Sequence, residues 1–201
     1  MKKLLLTLAA LSMAAAPASA ATSTYVSGSV GLGLATNTEK TFLGATVKDM
    51  YAYKTGVPFV GAVGIKSDAY RLEAALGYQV NDVDKAKLDL FHPVSLPGNK
   101  VSMWTYMANA YYDIDLDKSS ASPYVTVGLG GASLKPAISG ESSTTKSVFA
   151  WQAGAGVALK ASDVVVSDLG YRYLKPLSVK TGGEELSFGF HNLLAGVRYC
   201  F

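Results

Sequence analysis

Asn192-Leu-Leu-Ala-Gly-Val-Arg-Tyr-Cys-Phe201 is the stretch whose reading decides the fold. Leu193, Ala195, Val197, Tyr199 and Phe201 fall on one parity, while Asn192, Gly196 and Arg198 fall on the other. Side chains alternate across a strand, so this segment has one greasy face and one polar or tiny face. It also ends on an aromatic carboxy-terminus. A transmembrane β-barrel needs a final strand of this kind.

The other end of the chain agrees. Lys2 and Lys3 form a basic start, Leu4 to Ala16 an apolar stretch, and Ala18-Ser19-Ala20 a small-residue cleavage site. Residues 1–20 are therefore expected to be a secretory signal peptide, and residues 21–201 one barrel domain. The Ala-rich leader is broken by Thr7 and Ser12, which makes it a poor membrane span. Losing Lys2 and Lys3 takes the formal charge from +3 to about +1. No basic stripe survives, and nucleic acid is not an expected partner. After Ala20 no run approaches the ~20 apolar residues of a membrane helix. Yet 49% of the chain is hydrophobic. An exported, apolar chain without a spanning helix is either a periplasmic β protein or an outer-membrane barrel. The single Cys200 has no internal disulfide partner and by parity faces the lumen.

Eight alternating segments follow one another. They run from Val26 to Leu34, Val57 to Ile65, Tyr70 to Tyr78, Met103 to Ile114, Pro123 to Gly131, Val148 to Lys160, Val165 to Tyr173, and a last one ending at Phe201. In the third, Tyr70, Leu72, Ala74, Leu76 and Tyr78 oppose Arg71, Glu73, Ala75 and Gly77. In the fourth, Trp104, Tyr106, Ala108, Ala110 and Tyr112 oppose Thr105, Asn109 and Asp113. The connections alternate too. Residues 66–69, 115–122 and 161–164 are short, while 35–56, 80–100, 132–147 and 174–186 are long. Short periplasmic turns and long extracellular loops are the outer-membrane pattern. Outward aromatics form two girdles: Tyr70, Tyr112, Tyr199 and Phe201 at the periplasmic ends, and Phe59, Tyr78, Trp104, Phe149, Tyr171 and Tyr173 toward the loops. The fold expected is all-β, an eight-stranded antiparallel up-and-down transmembrane β-barrel surrounded by outer-membrane lipid.

Several stretches together resemble the small OmpA/OmpX-like outer-membrane barrels of the opacity-protein and surface-antigen type. They are Gly61-Ala-Val-Gly-Ile65, Arg71-Leu-Glu-Ala-Ala-Leu-Gly-Tyr78, Met107-Ala-Asn-Ala-Tyr-Tyr-Asp113, Pro123-Tyr-Val-Thr-Val-Gly-Leu-Gly130, Trp151-Gln-Ala-Gly-Ala-Gly156, Leu169-Gly-Tyr-Arg-Tyr173 and His191 to Phe201. The resemblance implies eight strands with loops at the surface of a Gram-negative-type bacterium. It further implies insertion by the barrel-assembly machinery, which reads a terminal aromatic such as Phe201. It leaves the role open, because such barrels serve as adhesins, anchors, small pores and occasionally enzymes.

An eight-stranded barrel has a lumen just wide enough for side chains to fill. The inward parity carries Arg71, Glu73, Asp113, Asp168, Arg172 and Arg198, three cations against three anions, beside Asn109 and Gln152. Charges withdrawn from water are costly unless paired. Pairs are expected between Arg71 and Asp113 and between Asp168 and Arg198. Structural plugging is the favoured reading; a gated path for protons or small solutes is the alternative. Inward glycines such as Gly64, Gly128, Gly156 and Gly170 allow either tight closure or a small water-filled cavity.

Catalysis is not expected. His191 faces outward near the loops, with Ser187 four residues earlier and Glu184 and Glu185 nearby. Four strand residues span roughly 13 Å, too far for a nucleophile–base hydrogen bond. Asp82, Asp84 and Asp89 lack the spacing of a Ca²⁺ loop, so neither metal nor cofactor is expected. The loops are the natural seat of function. In residues 80–100, Leu88, Leu90 and Phe91 are apolar. They suit packing against Phe42, Met50, Tyr51 and Tyr53 of the first loop, or contact with an extracellular partner.

Overall fold

The computed structural model describes residues 22–36, 39–42, 45–47, 51–53, 55–87, 93–95, 100–116, 119–137, 145–181, 184–187 and 189–201. The expected signal peptide, residues 1–20, lies outside them, as do Met50, Leu88, Asp89, Leu90, Phe91 and His92.

The described strands, in chain order, are β1 (Thr22–Ala35), β2 (Glu39–Phe42), β3 (Ala45–Val47), β4 (Tyr51–Tyr53), β5 (Val57–Ser67), β6 (Tyr70–Lys87) and β7 (Pro93–Ser95). They continue with β8 (Lys100–Asp113), β9 (Ala121–Ala137), β10 (Lys146–Lys160), β11 (Val165–Pro176), β12 (Val179–Thr181), β13 (Glu184–Ser187) and β14 (Phe190–Cys200). The eight long ones pair in the order β6-β5-β1-β14-β11-β10-β9-β8, and β8 returns to β6. Every pairing is antiparallel, and the β6–β8 pairing closes the barrel. The seam joins the two ends of the chain, with Tyr25 opposite Cys200 and Ala35 opposite Phe190. Asp68, in the turn between β5 and β6, has φ 51°, which an Asp tolerates better than most residues.

The alternation sorts side chains as sequence parity requires. Leu72 is 55% exposed on the outer wall, while its neighbours Arg71 and Glu73 are 3% and 6% exposed inside. Leu32, Phe59, Val127, Leu129, Leu169 and Leu193 cover the outer wall and all stand more than half exposed. A water-facing surface rarely carries an apolar area this continuous; a barrel in lipid requires it. Tyr70 packs on Tyr112 at the turn end, and Tyr78 on Trp104 at the loop end.

The strands outrun the alternating segments at the loop end. β6 continues from Tyr78 to Lys87, β9 from Gly131 to Ala137, and β11 from Tyr173 to Pro176. Above the bilayer both faces of a strand can be wet, so parity fades there while backbone pairing continues. The expected long loops therefore hold sheet. β4 pairs with β6, placing Tyr51 opposite Ala86, and β7 pairs with the same end of β6. β2 and β3 of the first loop join β12 and β13 of the fourth in a four-stranded sheet, ordered β12-β13-β2-β3. The first loop is thus tied both to the extension of β6 and to the fourth loop.

Candidate functional site: the lumen

The lumen fills from the turn end upward. Asp113, the last residue of β8, accepts hydrogen bonds at Oδ1 from Arg71 Nε (2.9 Å) and Nη2 (2.7 Å). Its Oδ2 accepts from Lys66 Nζ at 2.7 Å. The guanidinium of Arg71 lies 4.1 Å from the Tyr111 ring centre and 4.9 Å from that of Tyr124. Ring faces are electron-rich, so they stabilise the cation where water is scarce. Arg198 donates to Asp168 from Nη2 (3.0 Å) and Nε (3.3 Å) and lies beside the Tyr25 ring.

At mid-depth Glu73 is held without a direct cation. Its Oε2 accepts from the Tyr25 hydroxyl (3.2 Å), and its Oε1 from the Tyr111 hydroxyl (2.7 Å) and Asn109 Nδ2 (3.1 Å). Arg172 Nη2 donates to the same Tyr111 hydroxyl at 2.7 Å. Gln152 donates to Asn109 at 2.5 Å. Arg71, Arg172 and Arg198 thus stand with Asp113, Asp168 and Glu73 in one connected cluster, with tyrosine hydroxyls closing the gaps.

Toward the loops the lumen turns apolar. Met103, Met107, Ala132, Leu134, Ala150, Leu174 and Phe190 form one buried cluster. In the terminal strand Leu194, on the lumen parity, is 5% exposed. Beside this seal Gln79 donates to Asn81, which donates to the Gly33 carbonyl. Small cavities remain among the described residues. One of about 20 Å³ is lined by Arg71, Glu73, Tyr124, Asp168 and Arg172. Another, about 30 Å³, is lined by Gln79, Gln152, Arg172, Leu174 and Asn192. A water molecule needs roughly 10–15 Å³ by such a measure, so each is water-sized, and Arg172 stands between them.

The lumen glycines make room for tyrosines. A Cβ on Gly64 would strike the Tyr25 ring, and one on Gly156 or Gly170 would strike the Tyr124 hydroxyl. The space expected to be either closure or cavity is filled from the neighbouring strands.

Tyr25, Tyr111, Tyr124 and Lys66 complete the network and were not among the expected lumen residues. Parity places Tyr111 and Tyr124 inward, but the charge balance that singles out the lumen set passes over neutral phenols. Tyr25 falls one residue before the alternating segment, and Lys66 falls in the expected turn. Met107 carries the lumen parity, while Leu174 and Phe190 lie past the alternating segments.

On the outer wall, His191 Nδ1 is 2.6 Å from the Tyr171 hydroxyl. Ser187 Oγ accepts from Lys175 Nζ at 2.8 Å. Ser187 and His191 are each engaged by another residue. Among the described residues no group of three His, Cys, Asp or Glu side chains is placed to hold a metal. Cys200 is a free thiol, half buried. Phe201 packs on Tyr199, and its backbone N–H donates to the Thr24 carbonyl at 2.9 Å. Asp82 and Asp84 lie on the extension of β6.

Comparison with known proteins returns the same architecture. A family model described as outer membrane protein beta-barrel domain matches residues 4–201. The outer membrane protein PagN of Salmonella typhimurium is 29% identical over 124 residues, covering 51% of this chain. The chain spans about half the length of that relative, 52%. Neisserial surface protein A superposes with a TM-score of 0.61 at 18% identity, covering 89% of this chain and 97% of its own. The N-terminal β-barrel domain of Pseudomonas aeruginosa OprF superposes with a TM-score of 0.48 at 15% identity, covering 88% and 97%.

Proposed function

The chain belongs to the outer membrane protein beta-barrel domain family, and from that premise we propose that it is a non-conducting surface scaffold. In this reading the four long loops face the cell exterior and offer themselves to a partner, while the lumen stays closed. The protein resides in the outer membrane of a Gram-negative-type bacterium. It carries no catalytic machinery in this reading, and Phe201 serves as the signal read during barrel assembly.

The observation that carries the proposal is the filled lumen. A layer of paired charges and tyrosines lies under an apolar seal, and the spaces left between side chains are water-sized. Opening a path would require breaking buried ion pairs and wetting apolar surface, and both cost free energy. The loops support the second half. The described strands of the first, second and fourth loops are paired into sheets, which supports a preformed surface at those strands. Leu88, Leu90 and Phe91, which follow β6, are assigned here as apolar contacts for the partner.

Planar-bilayer recording on the refolded chain tests the closed lumen; a silent membrane is expected. Steady unitary conductance that falls when Gly128 or Gly154 is made bulky would favour a narrow pore instead. Protease and biotin accessibility on intact cells tests the loops. Cleavage confined to residues 35–56, 80–100, 132–147 and 174–186 is expected, and protection of all four would reverse the orientation.

A further inference from the structure

Arg172 and Asn192 face each other across the β11–β14 ladder, both on the lumen parity. Side chains directly opposed on one face are normally in reach of each other. Here the cavity of about 30 Å³ adjoins both, with Gln79, Gln152 and Thr105 also in its lining. Asn192 is 7% exposed, and its Oδ1 is buried with no hydrogen-bond partner among the described residues. Arg172 gives one of its five N–H groups to the Tyr111 hydroxyl. Among the described side chains it makes no direct ion pair with a carboxylate, unlike Arg71 and Arg198.

The cavity is rich in donors and has no acid in its lining. Gln79 gives one amide hydrogen to Asn81 and Gln152 gives one to Asn109, so each keeps a second. Arg172 is the charged member of the described lining. The Oδ1 of Asn192 gains no hydrogen bond from its orientation, and a half-turn of the amide puts the NH2 group in its place. The charge count leans the same way. Lys66 shares Asp113 with Arg71. Lys66, Arg71, Arg172 and Arg198 therefore stand against Glu73, Asp113 and Asp168 in the described network, with one positive charge in excess. A cation withdrawn from bulk water is costly without a counter-charge.

We propose that this cavity binds one monatomic anion, chloride, held by Arg172, the amides of Asn192, Gln79 and Gln152, and the Thr105 hydroxyl. Its volume is that of roughly two waters, which suits a halide and excludes a polyatomic anion. Donors aimed at an anion form charge-assisted hydrogen bonds, stronger than those between neutral groups. The ion offsets the excess charge and links β6, β8, β10, β11 and β14 through one centre. The site goes beyond the closed-lumen reading: a silent bilayer neither requires nor excludes it, and its loss would leave that reading standing.

The first test is crystallographic. Crystals of the refolded full chain grown in bromide are measured at the bromine absorption edge, and an anomalous peak among Arg172, Gln79 and Asn192 is expected. Density there that fits water only, with no anomalous signal, would overturn the site. The second test is linkage. The chain is refolded into lipid vesicles and unfolded in urea while chloride replaces gluconate at constant ionic strength, which keeps screening fixed. Above the dissociation constant, the folded-to-unfolded ratio is expected to rise about tenfold for each tenfold rise in chloride. A ratio that does not respond to the exchange would sink the proposal. Asn192→Asp supplies a fixed negative charge at the cavity and should abolish the chloride response, as should Arg172→Met. A response that survives in both variants would place the ion elsewhere and overturn the site. The bromide map and the chloride titration use the unaltered chain, so they decide the matter whether or not a variant folds.

Discussion

Glu73 and Arg172 are joined through the hydroxyl of Tyr111, which donates to the carboxylate at 2.7 Å and accepts from the guanidinium at 2.7 Å. One oxygen thus couples the two charges left over when Arg71 takes Asp113 and Arg198 takes Asp168. Tyr111→Phe keeps the ring beneath Arg71 but removes that oxygen. Glu73 then keeps Tyr25 and Asn109, while Arg172 loses the oxygen that accepts its hydrogen bond. A loss of about 2–4 kcal/mol is expected from two hydrogen bonds to charged groups. Urea unfolding from lipid vesicles measures it; a change under about 0.5 kcal/mol would mean the hydroxyl couples nothing.

Asp113 pairs with two cations, Arg71 and Lys66. Removing it strands both, although Lys66 is 37% exposed and can turn to water. Asp113→Asn should destabilise by about 3–5 kcal/mol, the cost of leaving a buried charge uncompensated. Arg71→Met in the same background should recover part of that loss, because the stranded guanidinium is then gone. A double-mutant cycle reads the coupling. Additive losses would show that Arg71 and Asp113 do not depend on each other.

In the proposed closed lumen two barriers stand in series, and they are different in kind. Phe190 belongs to the apolar seal and Arg172 to the charged layer beneath it. Phe190→Ala should cost about 3–5 kcal/mol yet leave the bilayer silent, because the charged layer still closes the path. Only Phe190→Ala combined with Arg172→Ala should raise conductance. A current through Phe190→Ala alone would place the whole barrier in the apolar cluster.

How much of this could be read from the residues depends on which face they occupy and at what height. Leu72, Trp104 and Leu169 were legible as outward, because lipid demands apolar side chains at every second position. The pairs Arg71–Asp113 and Asp168–Arg198 could be suggested from parity and charge balance. Tyr111 could not be assigned its role in that way. In the ladder Glu73 faces Asn109, and Tyr111 is one same-face step further along β8. Its hydroxyl reaches Glu73 only because the ring is long and lies along the lumen. Past Asn81 the alternation disappears at Asp82-Val83-Asp84-Lys85, although β6 runs on to Lys87. Backbone pairing there leaves no imprint on side-chain hydropathy.

Tyr124 occupies space that Gly156 and Gly170 leave open. Gly170→Val should therefore displace the ring and weaken its contact with Arg71, at a cost of about 1–3 kcal/mol typical of overpacking. Tyr124→Ala should lose stability by itself through the cavity it leaves. The two together should lose less than the sum, because the valine then enters vacated space. A sum equal to or greater than the parts would mean that the two residues do not compete for one volume.

The outer wall offers a test of the lipid embedding through depth. Val127 is 62% exposed near the middle of β9, and Ala121 begins that strand at the turn end, both on outward parity. Arginine at a lipid-facing site costs about 2–4 kcal/mol at the midplane and about 0–1 near the interface. Val127→Arg should therefore lower stability in vesicles by several times the effect of Ala121→Arg. In a water-surrounded molecule both positions would accept arginine at little cost, since a long charged side chain there stays solvated. Equal, small effects at the two depths would remove the bilayer from around this wall, and with it the reason for every leucine and valine that faces outward.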